Sequence, residues 1–227
     1  ATYYQQQSWV FGDLQSTIFN KQLVKLLDDR TLEVSKWLAV ELGEPEWLKG
    51  YGLRFSHRLS FPPTKSTAEI LGGPSEGREP VFANVYESDT AGGTVYRINP
   101  IFLALMRDRG MYTEEVMQRI AEDQGSVQAE DWLTTHEKAV FRTAFEINQR
   151  DIIRMAADAQ RAMNATGGGQ GQSTNLYFPA DAKEEDISDI HHEAFINPDV
   201  EALYYIRSLN GATKVKVDTS ICSSCEG

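Results

Sequence analysis

The chain's only two cysteines, Cys222 and Cys225, stand in the run Cys222-Ser223-Ser224-Cys225, where they can close into a disulfide or exchange one with another dithiol. Neighbouring thiols at this spacing often ionise below the usual cysteine range, which favours exchange. A zinc knuckle would need two further ligands, and the sequence holds no second cysteine pair and no suitably spaced histidine pair. The spacing reads as a mobile exchange arm, set against the plainer alternative of two inert thiols in an exposed tail.

A second candidate is the run Pro62-Pro63-Thr64-Lys65-Ser66-Thr67-Ala68-Glu69-Ile70, which gathers hydroxyls and an ammonium around the start of a short helix. Unpaired N–H groups and the positive end of a helix dipole favour an anion, so a phosphate fits there, with Ser66 and Thr67 as added donors. An ordinary N-cap is the commoner use of the same residue types. The nearby Gly72-Gly73-Pro74-Ser75 matches neither a Walker nor a dinucleotide fingerprint.

Tyr204 and Tyr205 are adjacent, and such a pair can pack, hydrogen-bond, or pass an electron and a proton between neighbours. A regular strand sends successive rings to opposite faces, so a stacked pair needs irregular backbone. Asp189 and His192 stand at i, i+3 on an acidic segment, but a carboxylate-bridged dimetal site needs a second such motif and none is evident. That segment reads as a solvated face with Ile187, Ile190 and Ala194 turned inward. No metal site is expected on the chain, and His57 and His136 read as structural or surface residues.

These groups need elements to hold them. Ile18, Phe19, Leu23, Leu26, Leu27, Val34, Trp37, Leu38 and Leu42 recur at helical spacing, and Gly43 with Pro45 ends the pattern, predicting one long helix or two stacked ones. Residues 54–61 read as a strand, leading through Pro62-Pro63 to a short helix. Asn99-Pro100 and Thr113 open two further helices, and Thr134-Thr135-His136-Glu137 is a capping box followed by Val140, Phe141, Ala144 and Phe145 on one helical face. Another helix is expected over residues 151–163, a Gly-rich stretch over 165–171, a strand over 173–178, a helix capped by Asp181 and ending near Phe195, and a strand over 202–207. From residue 209 onward periodicity is lost, which predicts a flexible tail over 209–227 following a folded region over 1–208. Helices alternating with few, short strands predict an α/β layer or barrel.

Composition sets the outer bounds. The 227 residues are 41% hydrophobic and 24% charged, which fits one globular domain and excludes collagen-like, coiled-coil and wholly disordered classes. A net charge of −11 opposes nucleic acid and anionic membranes at long range. The sequence starts Ala1-Thr2-Tyr3-Tyr4-Gln5, without the basic and apolar regions of a signal peptide, and no run is long and apolar enough to span a bilayer, so a cytoplasmic location is the default expectation.

Taken in order, Pro63-Thr64-Lys65-Ser66-Thr67-Ala68-Glu69-Ile70 with Gly72, Glu79-Pro80, Gly125-Ser126-Val127-Gln128, Phe145-Glu146-Ile147-Asn148-Gln149-Arg150, Gln172-Ser173-Thr174-Asn175-Leu176, Leu203-Tyr204-Tyr205-Ile206-Arg207-Ser208 and the terminal Cys222/Cys225 resemble the large subunit of class I ribonucleotide reductase. The resemblance runs from about Tyr51 to the last residue and is weaker before it. It implies the C-terminal half of a ten-stranded α/β barrel ending in a flexible tail. It also implies the reduction of ribonucleoside diphosphates to deoxyribonucleoside diphosphates for DNA synthesis. Pro63, Thr64, Lys65, Ser66 and Thr67 would then hold the substrate diphosphate. Tyr205 would take the oxidising equivalent from a small subunit carrying a radical metallocofactor, and Tyr204 would pass it to an active-site cysteine. Cys222 and Cys225 would re-reduce the active-site disulfide and be recharged by thioredoxin or glutaredoxin.

The departures matter as much. The family's Asn-x-Cys-x-Glu finger loop, the upstream partner cysteine and the N-terminal specificity domain are absent from this sequence, and Gly167-Gly168-Gly169 stands where more apolar residues are expected. With no such cysteine, the chain alone should be inert and binds no cofactor of its own. It should act beside an N-terminal fragment of the large subunit and the small subunit, as a split enzyme. The rival readings are an inactive remnant or regulatory binding module, and a free-standing thiol oxidoreductase using the tail pair.

Overall fold

The computed structural model describes residues 1–72, 75–90 and 93–209, so Cys222 and Cys225 lie outside the described residues. In chain order the elements are α1 (Thr2–Gln6), α2 (Leu14–Leu42), β1 (Leu59–Phe61), α3 (Lys65–Ile70), β2 (Val85–Thr90), β3 (Gly93–Ile98), α4 (Pro100–Asp108) and α5 (Glu114–Glu122). They continue with α6 (Thr135–Val140), α7 (Gln149–Asn164), β4 (Gly169–Gln172), β5 (Leu176–Phe178), α8 (Glu184–Ile196) and β6 (Ile206–Ser208).

Local chemistry explains most boundaries. Asp13 starts α2 by accepting the Ser16 amide at 2.7 Å. Asn99, with Pro100 behind it, caps α4, and Thr113 caps α5. The capping box at α6 is complete, since the Glu137 amide donates to the Thr134 hydroxyl and the Thr134 amide donates back to the Glu137 carboxylate at 2.8 Å. That helix ends at Val140, however, so Ala144 and Phe145 lie beyond it in turns. The α8 N-cap is Lys183 rather than Asp181 and makes no side-chain cap bond. Glu184, Glu185 and Asp186 in the first turn favour the helix dipole instead.

The long helix α2 is a single element, but the apolar stripe expected to bury it points outward. Its buried residues are Ser16, Thr17, Asn20, Val24, Asp28, Ser35 and Ala39, mostly small or polar. Ile18, Leu23, Leu26, Val34 and Trp37 are exposed, Trp37 by 59%. The inner face packs on α7 through specific polar bonds: the Asn20 side-chain amide donates to the Met155 carbonyl at 3.0 Å, and Lys21 pairs with Asp158 at 3.1 Å.

β1 pairs in parallel with β4, β5 in parallel with β6, and β2 with β3 as an antiparallel hairpin that the sequence pattern did not reveal. The β5–α8–β6 segment is a parallel β–α–β unit, the building block of an α/β barrel. Its core joins Ile153 of α7 to Leu176 and Phe178 of β5 and to Ile190 and Ala194 of α8. A larger cluster holds Val85, Phe102, Met106, Ile120, Val127 and Phe141 together beneath the hairpin and α4 to α6. Among the described residues no helix is long and apolar enough to cross a membrane.

One buried ion pair ties α2 to the β1–β4 ladder. Arg58 and Asp28 meet at 3.0 Å with side chains only 2% and 1% exposed, and the Thr166 hydroxyl donates to the same carboxylate at 2.7 Å. Gly168, in the glycine run, has its reason here. A Cβ on Gly168 would lie 2.1 Å from the Arg58 guanidinium carbon, so any larger residue at this one position would push the guanidinium away from Asp28. The Gly168 carbonyl in turn accepts from the Arg58 amide at 2.8 Å, continuing the ladder. Asp28→Asn leaves a buried guanidinium without its counter-charge, so urea unfolding should show a loss of about 3–5 kcal/mol. A loss below about 1 kcal/mol, as for an exposed pair, would count against this burial.

Candidate functional site

The strand β1 feeds the loop at residues 62–64, where Pro62 and Pro63 enforce extended backbone. Thr64 then turns with φ of 55°, a left-handed conformation that a β-branched residue adopts only under constraint. Two bonds supply the constraint. Its carbonyl accepts the Ala68 amide at 2.9 Å, and its hydroxyl accepts the Gly77 amide at 2.8 Å. The side chain of Thr64 is therefore engaged in shaping the loop, whereas Pro63, Lys65, Ser66 and Thr67 are exposed. The hydroxyls of Ser66 and Thr67 and the Lys65 ammonium remain available to an anion.

Gly77 leads directly into Arg78 and Glu79. The Arg78 guanidinium donates to the Gln172 side chain at 2.6 Å, to the Met155 carbonyl at 3.2 Å and to the Asn20 side chain. It also lies over the Phe61 ring, 4.8 Å from its centroid. Burial pushes its pKa down to about 10.

Glu79 turns the other way. One carboxylate oxygen accepts the Asn175 backbone amide at 2.8 Å, and the other accepts the Asn175 side-chain amide at 2.8 Å and the Tyr177 hydroxyl. Burial first, and then the Glu79 charge, push the Tyr177 phenol well above its ordinary pKa.

The Asn175 side-chain oxygen accepts the Tyr205 amide at 3.0 Å, which brings the tyrosine pair into the same network. Tyr204 and Tyr205 precede β6, whose regular pairing begins only at Ile206, so the strand expected over 202–207 is shorter than the sequence suggested. Here is the irregular backbone that lets two successive rings lie side by side. The two ring centroids are 4.1 Å apart at 55°, and the hydroxyl oxygens are 3.4 Å apart. The two residues are 53% and 51% exposed, with the Arg207 guanidinium 5.6 Å from the Tyr205 centroid.

The structure thus hangs two candidate groups on one segment. Residues 77–79 fix the Thr64 loop at one end and, through Asn175, the tyrosines at the other. Arg78, Glu79, Asn175 and Tyr177 were given no role from the sequence, because Glu79 and Asn175 lie 96 positions apart and no local spacing links them. Asp189 and His192 are exposed on α8, and the described residues hold no cluster of three or more metal-ligating side chains. His57 lies beside Ser56 and His136 beside the Ser8 carbonyl, both exposed.

Comparison with known sequences decides the family. The model of the ribonucleotide reductase barrel domain matches residues 4–206. The chain belongs to the ribonucleotide reductase barrel-domain family. It is 31% identical to a ribonucleoside-diphosphate reductase large subunit of Invertebrate iridescent virus 3, over 100% of this chain and 37% of that protein. It is 30% identical to the large subunit of Caenorhabditis elegans over 78% of this chain and 22% of that one. Among solved structures, the Actinobacillus ureae class Id ribonucleotide reductase alpha subunit superposes with a TM-score of 0.80 at 34% identity, covering 92% of this chain and 37% of its own. The chain therefore has the fold of part of the reductase barrel, and spans well under half the length of these relatives.

The Tyr177 environment carries a pH signature. Its phenol ionises above the unfolded value of about 10, so the folded state keeps a proton that the unfolded chain gives up. Stability from this group is complete below about pH 10 and is lost as pH rises toward the folded pKa. Arg78, shifted downward, titrates in the opposite sense, so a comparison of variant with parent isolates the tyrosine. Tyr177→Phe should flatten the alkaline decline of the urea midpoint between about pH 9 and 11; parallel declines would contradict the assignment.

Proposed function

We propose that the chain is the C-terminal part of a class I ribonucleotide reductase large subunit, acting in the radical reduction of ribonucleoside diphosphates to deoxyribonucleoside diphosphates. The observation that carries the reading is the close, tilted Tyr204–Tyr205 ring pair, held on irregular backbone in a chain of this family. Tyr205 gives up one electron and its phenolic proton to the oxidant of the small subunit. The Tyr204 hydroxyl then yields a hydrogen atom to the Tyr205 oxygen, and its own oxygen takes a hydrogen atom from a cysteine thiol elsewhere in the large subunit. Each transfer moves one electron and one proton, so both phenols are whole again once the cysteine holds the radical; the reverse sequence returns a hydrogen atom to the cysteine and the oxidising equivalent to the small subunit.

The loop of Pro63, Thr64, Lys65, Ser66 and Thr67 holds the substrate diphosphate. Its exposed hydroxyls and ammonium suit that anion, and the conformation of Thr64 is fixed in advance, so little ordering is left for binding to impose. The radical cysteine lies on the N-terminal part of the large subunit. The outward stripe of α2, with Ile18, Leu26, Val34 and Trp37, is the kind of apolar face such a partner would cover. Cys222 and Cys225, outside the described residues, serve as the dithiol arm recharged by thioredoxin or glutaredoxin.

In the enzyme reconstituted from this chain, the N-terminal part and the small subunit, Tyr204→Phe and Tyr205→Phe should each abolish turnover while assembly persists, because phenylalanine keeps the packing and has no proton to lose. Substantial turnover in either variant would defeat the relay, and an inactive parent complex would favour a remnant. Replacing Cys222 and Cys225 by serine should slow thioredoxin-supported multiple turnover and spare the first. Equal loss of both phases would show that the tail does something other than recharge the site.

A further inference from the structure

The backbone at the tyrosines departs from a regular parallel ladder in a defined way. In such a ladder, the residue whose amide bonds to Thr174 also offers its carbonyl to Leu176. Here the amide to the Thr174 carbonyl is that of Tyr204, at 2.8 Å, and the carbonyl accepting from the Leu176 amide is that of Tyr205, at 3.0 Å. One extra residue is accommodated on the tyrosine side, which is a bulge. It leaves the Tyr205 amide outside the ladder and brings two successive rings onto one side.

The orphaned amide is taken by a side chain. Asn175 accepts it through its side-chain oxygen at 3.0 Å. An asparagine side chain can present either its oxygen or its NH2, and only the oxygen can accept this N–H. Glu79 decides between them. Its carboxylate can only accept, and it takes the Asn175 side-chain NH2 and the Asn175 backbone N–H, each at 2.8 Å. The Tyr177 hydroxyl adds a third donor to the same carboxylate.

We infer that Glu79 and Asn175 are positioning residues for the radical relay: a carboxylate–amide clamp that stabilises the bulge and so keeps the Tyr204 and Tyr205 phenols side by side. The inference rests on the relay reading above. The clamp touches neither substrate nor the transferred hydrogen atom, and acts only through the Tyr205 backbone.

The test uses the reconstituted reductase with Glu79→Gln, Asn175→Asp and the double variant. Each single change breaks the match of donor to acceptor, the first by setting an amide against an amide and the second by setting a carboxylate against a carboxylate. The double change restores it with the polarity reversed. The new glutamine donates to the new aspartate, whose second oxygen still accepts from Tyr205. Each single variant should lower kcat by about a hundredfold while KM for the ribonucleoside diphosphate stays within about twofold of the parent. The double variant should recover kcat to within about tenfold of the parent.

A kcat unchanged in both single variants would overturn the clamp, as would a rise in KM that alone accounts for the loss. If the single variants melt early, the double variant decides: parent-like melting without recovery of kcat overturns the inference. Tyr205→Phe run in parallel separates this failure from that of the relay. An inactive Tyr205→Phe beside fully active clamp variants removes the clamp alone, whereas an active Tyr205→Phe removes the relay and the clamp with it.

Discussion

The orientation of the longest helix is set by one charge. Asp28 is held in the interior by Arg58 and the Thr166 hydroxyl, and this one site joins α2, the start of β1 and the turn into β4. A buried pair of this kind contributes little net stability against an apolar alternative, because desolvation offsets most of the attraction. What it supplies is discrimination. Rotating α2 to bury its leucines would strand the carboxylate and the guanidinium, so the polar face must go in and the apolar face out. The loop before α3 begins four residues after Arg58, and its path inherits that constraint.

From this anchor the site is assembled by long-range polar bonds rather than by apolar packing. Arg78 spans α2, α7 and β4 through Asn20, Met155 and Gln172, and Glu79 spans to β5 through Asn175 and Tyr177. Each is a group whose removal would leave buried partners unsatisfied, a cost that keeps such networks in a single arrangement. Precision at the tyrosines is thus imported from residues far away in sequence, while Tyr204 and Tyr205 themselves stay half exposed.

What the sequence disclosed follows the same division. Caps at Asn99, Thr113 and Thr134 were legible because each is decided within four residues. The amphipathic inner face of α8 was legible for the same reason, with Ile190 and Ala194 buried as their spacing implies. The facing of α2 was not, since its periodicity shows where the apolar stripe lies and not whether the partner for it is on this chain. The β2–β3 hairpin was hidden because its strands alternate apolar and polar residues only weakly, Val85 being buried and Val95 exposed. The loop of residues 63–67 and the tyrosine pair were legible as residue types, but their connection through Glu79 and Asn175 depends on tertiary contact and leaves no local trace.

The bulge before Ile206 bears on how this stretch can change over time. Loss of a single residue there would regularise the β5–β6 ladder, a change that a fold under selection for stability alone would tolerate or favour. It would also send one phenol to the opposite side of the sheet. The proposed relay thus ties length in this short segment to geometry at the rings and not to the needs of the core, a restriction that the exposure of the segment alone would not suggest.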